Sequence, residues 1–444
     1  MQHIPNTDAD RRRMLASIGA SDVFELFEQV PRSLVLDRPL DIPGPLSEME
    51  LERYADDLSR ENADLHAYAS FLGAGIYDHY IPSTVAAVIG RSEFYTSYTP
   101  YQPEISQGNL QAIFEFQTLV CQLTGMEVAN ASMYDGATAL AEAALMASSI
   151  TGRAKWVVSN CVHPAYRETM RTYAWASGNR LVDAGRSGIT TDFAELSKHV
   201  TGETACVAIQ HPNFFGALES LREAGALAHK AGALFIICFD PISLGLLKPP
   251  GEFGADICVA EGQPLGIPPG FGGPLLGIFA CKKKYVRQMP GRLVGAATDS
   301  EGRRAYTLTL QTREQHIRRE RATSNICTNE ALNALAAAVY LCTLGKRGLR
   351  EAANLCLQKA HYAAQAISEL PGYQLPFDTP FFKEFVVRTG KPVAELNESL
   401  LNRRIIGGLD LGKSYPDLAS HMLLCVTERR TRAEIHALVE GLAE

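Results

Sequence analysis

Short apolar runs recur through the middle of the chain and predict the strands of a buried sheet. The runs cover residues 156–158, 180–182, 206–209, 234–239, 257–260 and 275–280. Unbroken runs of this length are typical of strands that are covered on both faces. They begin about 20 to 28 residues apart, which leaves room for a crossover helix and two loops. We therefore expect a doubly wound, mainly parallel α/β sheet whose last strand points the other way.

The sequence on either side of this pattern differs from it, so we expect three regions. Residues 1–60 carry proline-rich turns and little strand pattern, which predicts an N-terminal arm or helical segment. Residues 61–325 form the large α/β domain, and residues 326–444 form a small C-terminal α+β domain. The elements expected in the small domain are a helix capped by Thr328 and ending at Gly345, a helix near 348–369, strands at 384–388 and 422–426, and a helix from Thr431.

Composition narrows the class of protein. Hydrophobic residues make up 46% and charged residues 20%, as in an ordinary globular protein. The net charge of -7 argues against a nucleic-acid partner, which would favour a basic surface. The longest apolar run, 334–344, is shorter than the roughly 20 residues of a membrane span, and the N-terminus lacks the apolar core of a secretory signal. We expect a cytoplasmic chain that binds neither nucleic acid nor membrane.

The ten cysteines are scattered, and none forms a C-x-x-C pair. In a long cytoplasmic chain, this distribution predicts free thiols rather than a disulfide framework or a zinc site. We therefore expect no metal.

In an open parallel sheet, ligands bind beyond the carboxyl ends of the strands, so the residues that follow each strand are the first candidates for a ligand site. The segment 135–138 (DGAT) is expected to open a helix. The small residues Gly136 and Thr138 would let a phosphate approach backbone N–H groups at the positive end of that helix. An ordinary glycine-containing helix start would have the same sequence, and both interpretations stay open.

Polar residues follow three of the predicted strands. His163 and His211 each come after a strand, where each could stack on a planar ligand or be a hydrogen-bonded loop histidine. Asp240 ends the most apolar run, and a carboxylate there is costly unless it is paired. Its expected partner is a backbone turn or a cation, such as the nitrogen of a pyridinium ring.

These residues occur in the order of a pyridoxal-phosphate site, with a phosphate-cradling helix, a stacking histidine and an aspartate for the ring nitrogen. By the spacing known from enzymes that use this cofactor, the Schiff-base lysine would follow Asp240 at about the position of Gln263. An amide cannot form an imine. Lys248 lies only eight residues after Asp240, and the lysines 282–284 lie beyond a strand expected to point the other way. None of these lysines is a convincing substitute.

Tyrosines are concentrated in one stretch of the chain. Five of the 16 tyrosines fall within 25 residues, at Tyr77, Tyr80, Tyr95, Tyr98 and Tyr101. Two prolines prevent a regular helix over residues 95–106, which we call the tyrosine segment. Tyrosine is enriched in interfaces, so the segment predicts either an interaction surface or a buried loop with paired hydroxyls.

Several long stretches carry a resemblance to a known family. They read HIPNTDAD, EFYTSYTPYQPEISQG, MYDGATALAEA, PGEFGADICVAEGQPLG and QTREQHIRRERATSNICTNEAL, and they span nearly the whole chain. The chain resembles the glycine decarboxylases, which are the P-proteins of the glycine cleavage system, and in particular subunit 1 of the two-subunit bacterial form. The resemblance implies the aspartate-aminotransferase-like fold (fold type I of the pyridoxal-phosphate-dependent transferases), with a large α/β domain and a smaller C-terminal α+β domain.

The resemblance also implies an activity and its partners. The enzyme decarboxylates glycine on pyridoxal phosphate and transfers the aminomethyl group to the lipoyl arm of the H-protein. It is an α2β2 heterotetramer in which the homologous sister subunit 2 carries the lysine that binds the cofactor covalently. Five residues of this chain would then form a degenerate cofactor site, namely Gly136, Thr138, His163, Asp240 and Gln263.

The tyrosine segment is implied to face the cofactor of the sister subunit across the interface. There Tyr95, Tyr98, Tyr101 and Ser106 would contribute to the pocket for glycine or for the lipoyl arm. This chain is therefore not expected to be active alone.

Two other functions remain open at this point. One is a self-sufficient pyridoxal-phosphate aminotransferase or lyase that uses Lys248 or another lysine. The other is a catalytically silent binding or regulatory protein built on the same fold. The first predicts a yellow isolated protein, and the second predicts no activity even with a sister subunit.

Overall fold

The computed structural model describes residues 5–36, 38–326 and 329–444. The chain divides into two compact units, Met1–Asn62 and Ala63–Glu444. The first unit contains two α-helices, Asp8–Ser17 and Glu48–Arg60, each opened by a capping box, together with the short 3₁₀ turns Val23–Phe27 and Arg32–Leu34. Within residues 5–36 and 38–62, Leu15 is the one buried residue, so this unit exposes nearly all of its apolar side chains.

The second unit is built on a seven-stranded sheet. In chain order its strands are β1 (Val128–Ala129), β2 (Lys155–Ser159), β3 (Arg180–Ala184), β4 (Thr204–His211), β5 (Leu234–Phe239), β6 (Ile257–Glu261) and β7 (Gly277–Cys281). Their spatial order is β1-β7-β6-β5-β4-β2-β3. Strands β2 to β6 pair in parallel, and β7 runs antiparallel to both β6 and β1. Each predicted run therefore forms a strand, and the last one points the other way, as expected.

Both faces of this sheet are covered. Along β5 the side chains of Leu234, Ile236 and Cys238 join one core, and those of Phe235, Ile237 and Phe239 join the other. Successive residues of a strand point to opposite faces, so an unbroken apolar run is what a strand between two helical layers requires.

Helices cover the sheet and complete the unit. The α-helices are Ser83–Ile89, Ser92–Tyr95, Gln107–Thr124, Gly136–Thr151, Pro164–Ser177, Phe193–His199, Leu221–Lys230, Gln315–Arg318, Ala331–Ser368, Val393–Asn402 and Arg432–Ala443. No helix in the described ranges is both long and apolar enough to cross a bilayer.

Outside the central sheet the strands are short. A hairpin pairs Leu293–Thr298 with Arg304–Thr309, and a second pairs Arg186–Ser187 with Thr190–Thr191. The C-terminal part holds a three-stranded antiparallel sheet of Glu384–Arg388, His421–Cys425 and Leu409–Asp410. Ala69–Ser70 pairs in parallel with Ile405–Ile406, so a segment that precedes the central sheet joins the C-terminal part.

One long helix, Ala331–Ser368, contributes to two cores. Its first half packs Ala334 and Tyr340 against the central sheet, and its second half packs Ala360 and Ile367 into the C-terminal core. Thr328, the expected cap of this helix, lies outside the described residues. The division of the larger unit at residues 325 and 326 stays a prediction.

Candidate functional site

Asp240 directly follows β5, and its carboxylate is fully engaged. Its Oδ2 lies 2.6 Å from the ammonium of Lys383, a side chain that is only 1% exposed. Its Oδ1 accepts the backbone N–H groups of Ile242 at 2.8 Å and Ser243 at 3.3 Å. Both kinds of partner expected for this carboxylate are therefore present, and the cation is a lysine of this chain.

The Lys383 ammonium is the first of a series of buried polar groups that contact one another. It lies 3.0 Å from His79 Nε2 and 3.4 Å from the centroid of the Tyr77 ring. The other ring nitrogen of His79, Nδ1, lies 2.6 Å from Glu428 Oε2. Burial raises the pKa of Glu428, but the neighbouring His79 outweighs it and lowers that pKa to about 2.

His79 and Glu428 also meet the thiol of Cys356, and the ligand atoms of these three residues lie within 4.8 Å of one another. This is a set that can bind metals, but both ring nitrogens of His79 have partners in this series of buried groups and one of them faces an ammonium. The cluster is therefore part of the series of buried contacts that links Lys383, His79 and Glu428.

Glu261 ends β6 and occupies the start of the helix Gly136–Thr151. Its Oε2 accepts the backbone N–H of Gly136 at 3.0 Å, and its Oε1 accepts those of Gln263 at 2.9 Å and Leu276 at 3.0 Å. Burial raises the pKa of this carboxyl to about 7. A side-chain carboxyl thus takes the N–H that a phosphate would use at this helix.

Thr138, the other residue expected to contact a phosphate, instead hydrogen-bonds the N-cap of its own helix. Its hydroxyl donates to Asp135 Oδ1 at 2.7 Å, and its backbone N–H donates to the same oxygen at 2.7 Å. These contacts form a capping box, which is an ordinary way to begin a helix.

Gln263 is buried and binds backbone on two sides. Its Oε1 accepts the N–H of Tyr77 at 2.8 Å, and its Nε2 donates to the carbonyls of Tyr77 at 2.9 Å and Ile267 at 2.7 Å. The amide both donates and accepts here, which a lysine ammonium cannot do. The side chain therefore tethers the segment around Tyr77 to the end of the sheet.

The His163 ring is held in place by this chain. Its Nδ1 accepts the N–H of Ala165 at 3.1 Å, so Nε2 carries the proton and donates to the carbonyl of Ala74 at 2.8 Å. One face stacks on Tyr166, with ring centroids 4.7 Å apart at 24°. Burial lowers the pKa of His163, which favours this neutral form.

His211 is likewise engaged within the chain. Its Nδ1 accepts the backbone N–H of Glu219 at 3.0 Å, and burial lowers its pKa to about 4. This is the arrangement of a hydrogen-bonded loop histidine, the second of the two interpretations of the sequence.

One further acid, Glu384, and the phenol of Tyr77 close the site. Tyr77 donates its hydroxyl to Glu384 Oε2 at 2.8 Å, and Glu384 Oε1 accepts the N–H of Ala74 at 2.6 Å. Burial raises the pKa of Glu384 to about 7 and that of the Tyr77 phenol well above its usual value. Glu384 therefore titrates near neutral pH beside a phenol that keeps its proton.

Little space remains among these groups. The cavity lined by Tyr77, His163, Tyr166, Asp240 and Lys383 has a volume of about 30 Å³. That is on the scale of one water, whereas ligand sites span roughly 300 to 1,000 Å³. The residues at the ends of the strands therefore do not fit pyridoxal phosphate, because its two charged ends and its ring would meet side chains that already pair with each other.

The other candidate lysines lie in different surroundings. Lys248 is exposed and lies 4.0 Å from Glu252, and Lys282 donates to Asp256 at 2.6 Å. Neither lines the cavity at the strand ends, where Lys383 is the one lysine among the described residues.

The tyrosine segment forms a separate surface. Tyr95 is 68% exposed and Tyr98 is 78% exposed, whereas the hydroxyl of Tyr101 accepts an N–H of Arg292 at 2.6 Å. The segment lines a cavity of about 210 Å³ together with the start of the helix Ala331–Ser368. Tyr101 has a paired hydroxyl but is 45% exposed, so none of these three tyrosines lies in a buried loop.

Sequence reasoning missed the residues that close the site. Glu261 has a recognisable signal, because it ends an apolar strand just as Asp240 does. Lys383 has a weaker one, since a lysine and a glutamate directly precede the apolar strand residues 385–387. Glu384 shares this signal, whereas His79 and Glu428 carry none, because their partners are distant in sequence.

The chain is similar to known proteins along its whole length. A sequence model of the family described as "Glycine cleavage system P-protein" matches residues 1–442. A protein of Desulforamulus reducens named "Probable glycine dehydrogenase (decarboxylating) subunit 1" is 54% identical over 442 residues, covering 100% of this chain and 99% of that protein.

Solved structures give the same result for the fold. A crystal structure of glycine decarboxylase (P-protein) of the glycine cleavage system, in inhibitor-bound form, is 45% identical with a TM-score of 0.92, and the match covers 100% of this chain and 99% of that one. A sphingosine-1-phosphate lyase of Burkholderia pseudomallei is 15% identical with a TM-score of 0.63 over 92% of each chain. The expected fold type I architecture is confirmed.

Proposed function

Because the chain belongs to the glycine cleavage system P-protein family, we propose that it is the half of a two-subunit glycine decarboxylase that carries no Schiff-base lysine. Pyridoxal phosphate supplies an electron sink for amino-acid decarboxylation, and the homologous sister subunit binds it through a lysine. This chain completes the α2β2 enzyme, which passes the aminomethyl group to the lipoyl arm of the H-protein.

One observation carries this proposal. Gln263 stands where the resemblance puts the catalytic lysine, and its amide makes three hydrogen bonds to backbone and has no nucleophilic amine. The surrounding cavity of about 30 Å³ leaves no room for a ring and a phosphate. A self-sufficient aminotransferase or lyase is disfavoured for the same reasons, because Lys383 is held by Asp240 and Lys248 is exposed.

The tyrosine segment gives this chain a way to act on the sister's site. The exposed hydroxyls of Tyr95 and Tyr98 can donate to an anionic or polar ligand. The guanidinium of Arg292 lies over the Tyr101 ring, with its Cζ 5.1 Å from the ring centroid. We propose that Tyr95, Tyr98, Tyr101 and Ser106 face the sister's pocket and contact glycine or the lipoyl arm. A rigid Tyr101 beside two free hydroxyls suits a preorganised surface.

The test is exchange of the glycine carboxyl with labelled bicarbonate in the presence of lipoylated H-protein. It compares this chain alone, the sister subunit alone and the two expressed together. Exchange is expected only from the co-expressed pair, which should also be the one yellow sample. Exchange by this chain alone would contradict the proposal, and an inactive pair with bound cofactor would favour the silent regulatory protein.

A further inference from the structure

We infer that the strand-end site of this chain is closed by its own ions, with Glu261 in the place of a phosphate and Lys383 in the place of a pyridinium ring. Restoring a lysine at position 263 would therefore not restore cofactor binding. The inference deepens the proposed function, because it concerns why this subunit holds no cofactor. It does not depend on how the assembled enzyme treats glycine.

The phosphate end is blocked by charge and by space. The N–H of Gly136 is taken by Glu261 Oε2 at 3.0 Å, so a phosphate would have to displace a buried carboxyl. The helix start has no slack, since a Cβ on Gly136 would lie 2.6 Å from Tyr166 Oη and 2.8 Å from Glu261 N. The space beside the Gly136 Cα is therefore already filled by Tyr166 and by the backbone of Glu261.

The ring end is blocked in the same way. Asp240 Oδ2 pairs with the Lys383 ammonium at 2.6 Å, and Asp240 Oδ1 accepts the backbone N–H of Ile242. Lys383 is itself held by His79, which is paired with Glu428. A pyridinium that replaced this ammonium would leave a buried lysine without its counter-ion, which is strongly unfavourable.

The space between the two ends is also filled. The His163 ring is stacked on Tyr166, and the Phe214 ring lies at 73° to it with the two ring centroids 4.9 Å apart. The Lys383 Nζ lies 3.4 Å from the centroid of the Tyr77 ring, and the Tyr77 backbone N–H donates to Gln263 Oε1. The site thus links the end of the central sheet to segments near residues 77 and 383, and its role is structural.

The first experiment introduces the missing amine. The full chain carrying Gln263→Lys is incubated with pyridoxal phosphate, reduced with borohydride and mapped by peptide mass, with Gln263→Met as the control without an amine. We expect less than about 0.1 equivalent of cofactor fixed at position 263, because the amine alone opens neither end of the site. Near-stoichiometric fixation at position 263 would overturn the inference.

The second experiment measures the ion pair itself, without any cofactor. Urea unfolding of Lys383→Met, Asp240→Asn and the double variant forms a double-mutant cycle. Each single change should destabilise the chain, and the double variant should be less destabilised than the sum by at least about tenfold in the unfolding equilibrium constant. Additive losses would overturn the assignment of Lys383 as the internal counter-ion. Neither experiment measures glycine turnover. Both results can therefore be interpreted even if the proposed function is wrong.

Discussion

Buried carboxyl groups at the strand ends differ in how their charge is compensated. Asp240 faces an ammonium, whereas Glu261 faces three backbone N–H groups and Glu384 faces a phenol and one N–H. Burial therefore raises the pKa of both glutamates to about 7. Although burial opposes it, the charge of Asp240 keeps the pKa of Lys383 above its usual value. Near neutral pH the same cluster holds one firm ion pair and two acids that titrate.

Replacing Glu384 by glutamine should change how stability depends on pH. The folded carboxyl has a pKa of about 7 against an ordinary 4.5, so the folded state holds a proton that the unfolded state has lost between these values. Its stabilising contribution is complete below pH 4.5 and is lost as pH rises through 7. Relative to Glu384→Gln, the wild-type free energy of unfolding should fall by up to about 1.4 kcal/mol per pH unit between roughly pH 5 and 7.

Urea unfolding at several pH values checks this. Glu398→Gln, at an exposed position, is the control for replacing a carboxyl by an amide outside the cluster. A flat difference for Glu384→Gln would show that this carboxyl is ionised throughout. His211, whose pKa is about 4, adds an opposite slope that is common to all three proteins and cancels in the differences.

At the scale of elements, the long helix Ala331–Ser368 carries a break where its two halves serve different cores. Gly345 has φ 58° and ψ −173° within an otherwise helical run. Such a conformation is essentially restricted to glycine. The residue allows Ala334 and Tyr340 to pack on the central sheet while Ala360 and Ile367 pack in the C-terminal core.

Gly345→Ala should therefore destabilise the chain although a Cβ there would touch nothing within 4 Å. The expected loss is about 1 to 3 kcal/mol, because an alanine must adopt a strained backbone or shift the two halves. Gly348→Ala is the control, since position 348 is helical and its Cβ would meet only the Leu344 side chain at 3.1 Å. Denaturant unfolding that ranks the two variants equally would contradict this account.

The elements could largely be predicted from sequence because their determinants are local. The strands were found from their apolar runs, the break at Gly345 from the change of helical pattern, and the start of the last helix from Thr431, which caps it. The closing of the site could not be predicted in the same way. Asp240 was recognised as needing a partner, but Lys383 is brought to it only by the folding of the C-terminal part.

At the scale of the whole molecule, this chain buries its own strand-end polar groups and exposes those of the tyrosine segment. The Tyr77 hydroxyl donates to the Glu384 carboxyl in the interior, whereas Tyr98 is 78% exposed. Polar aromatic groups on a rigid support are suited to binding, because little side-chain entropy is lost on contact. The exposed tyrosine hydroxyls of the segment are therefore the groups of this chain that are best placed to contact a partner.

Tyr98→Phe should lower kcat/KM for glycine in the assembled enzyme by about tenfold or more, because a hydroxyl that positions a ligand is lost. The stability of the chain should not change, since the exposed hydroxyl is not needed for packing. Tyr101→Phe differs, because it also removes the hydrogen bond to Arg292 and should loosen the segment. Tyr54→Phe is the control for an exposed tyrosine outside the segment, because the Tyr54 side chain is 56% exposed. Exchange kinetics and unfolding of the same preparations separate the two effects, and unchanged kinetics for Tyr98→Phe would remove that hydroxyl from the proposed pocket.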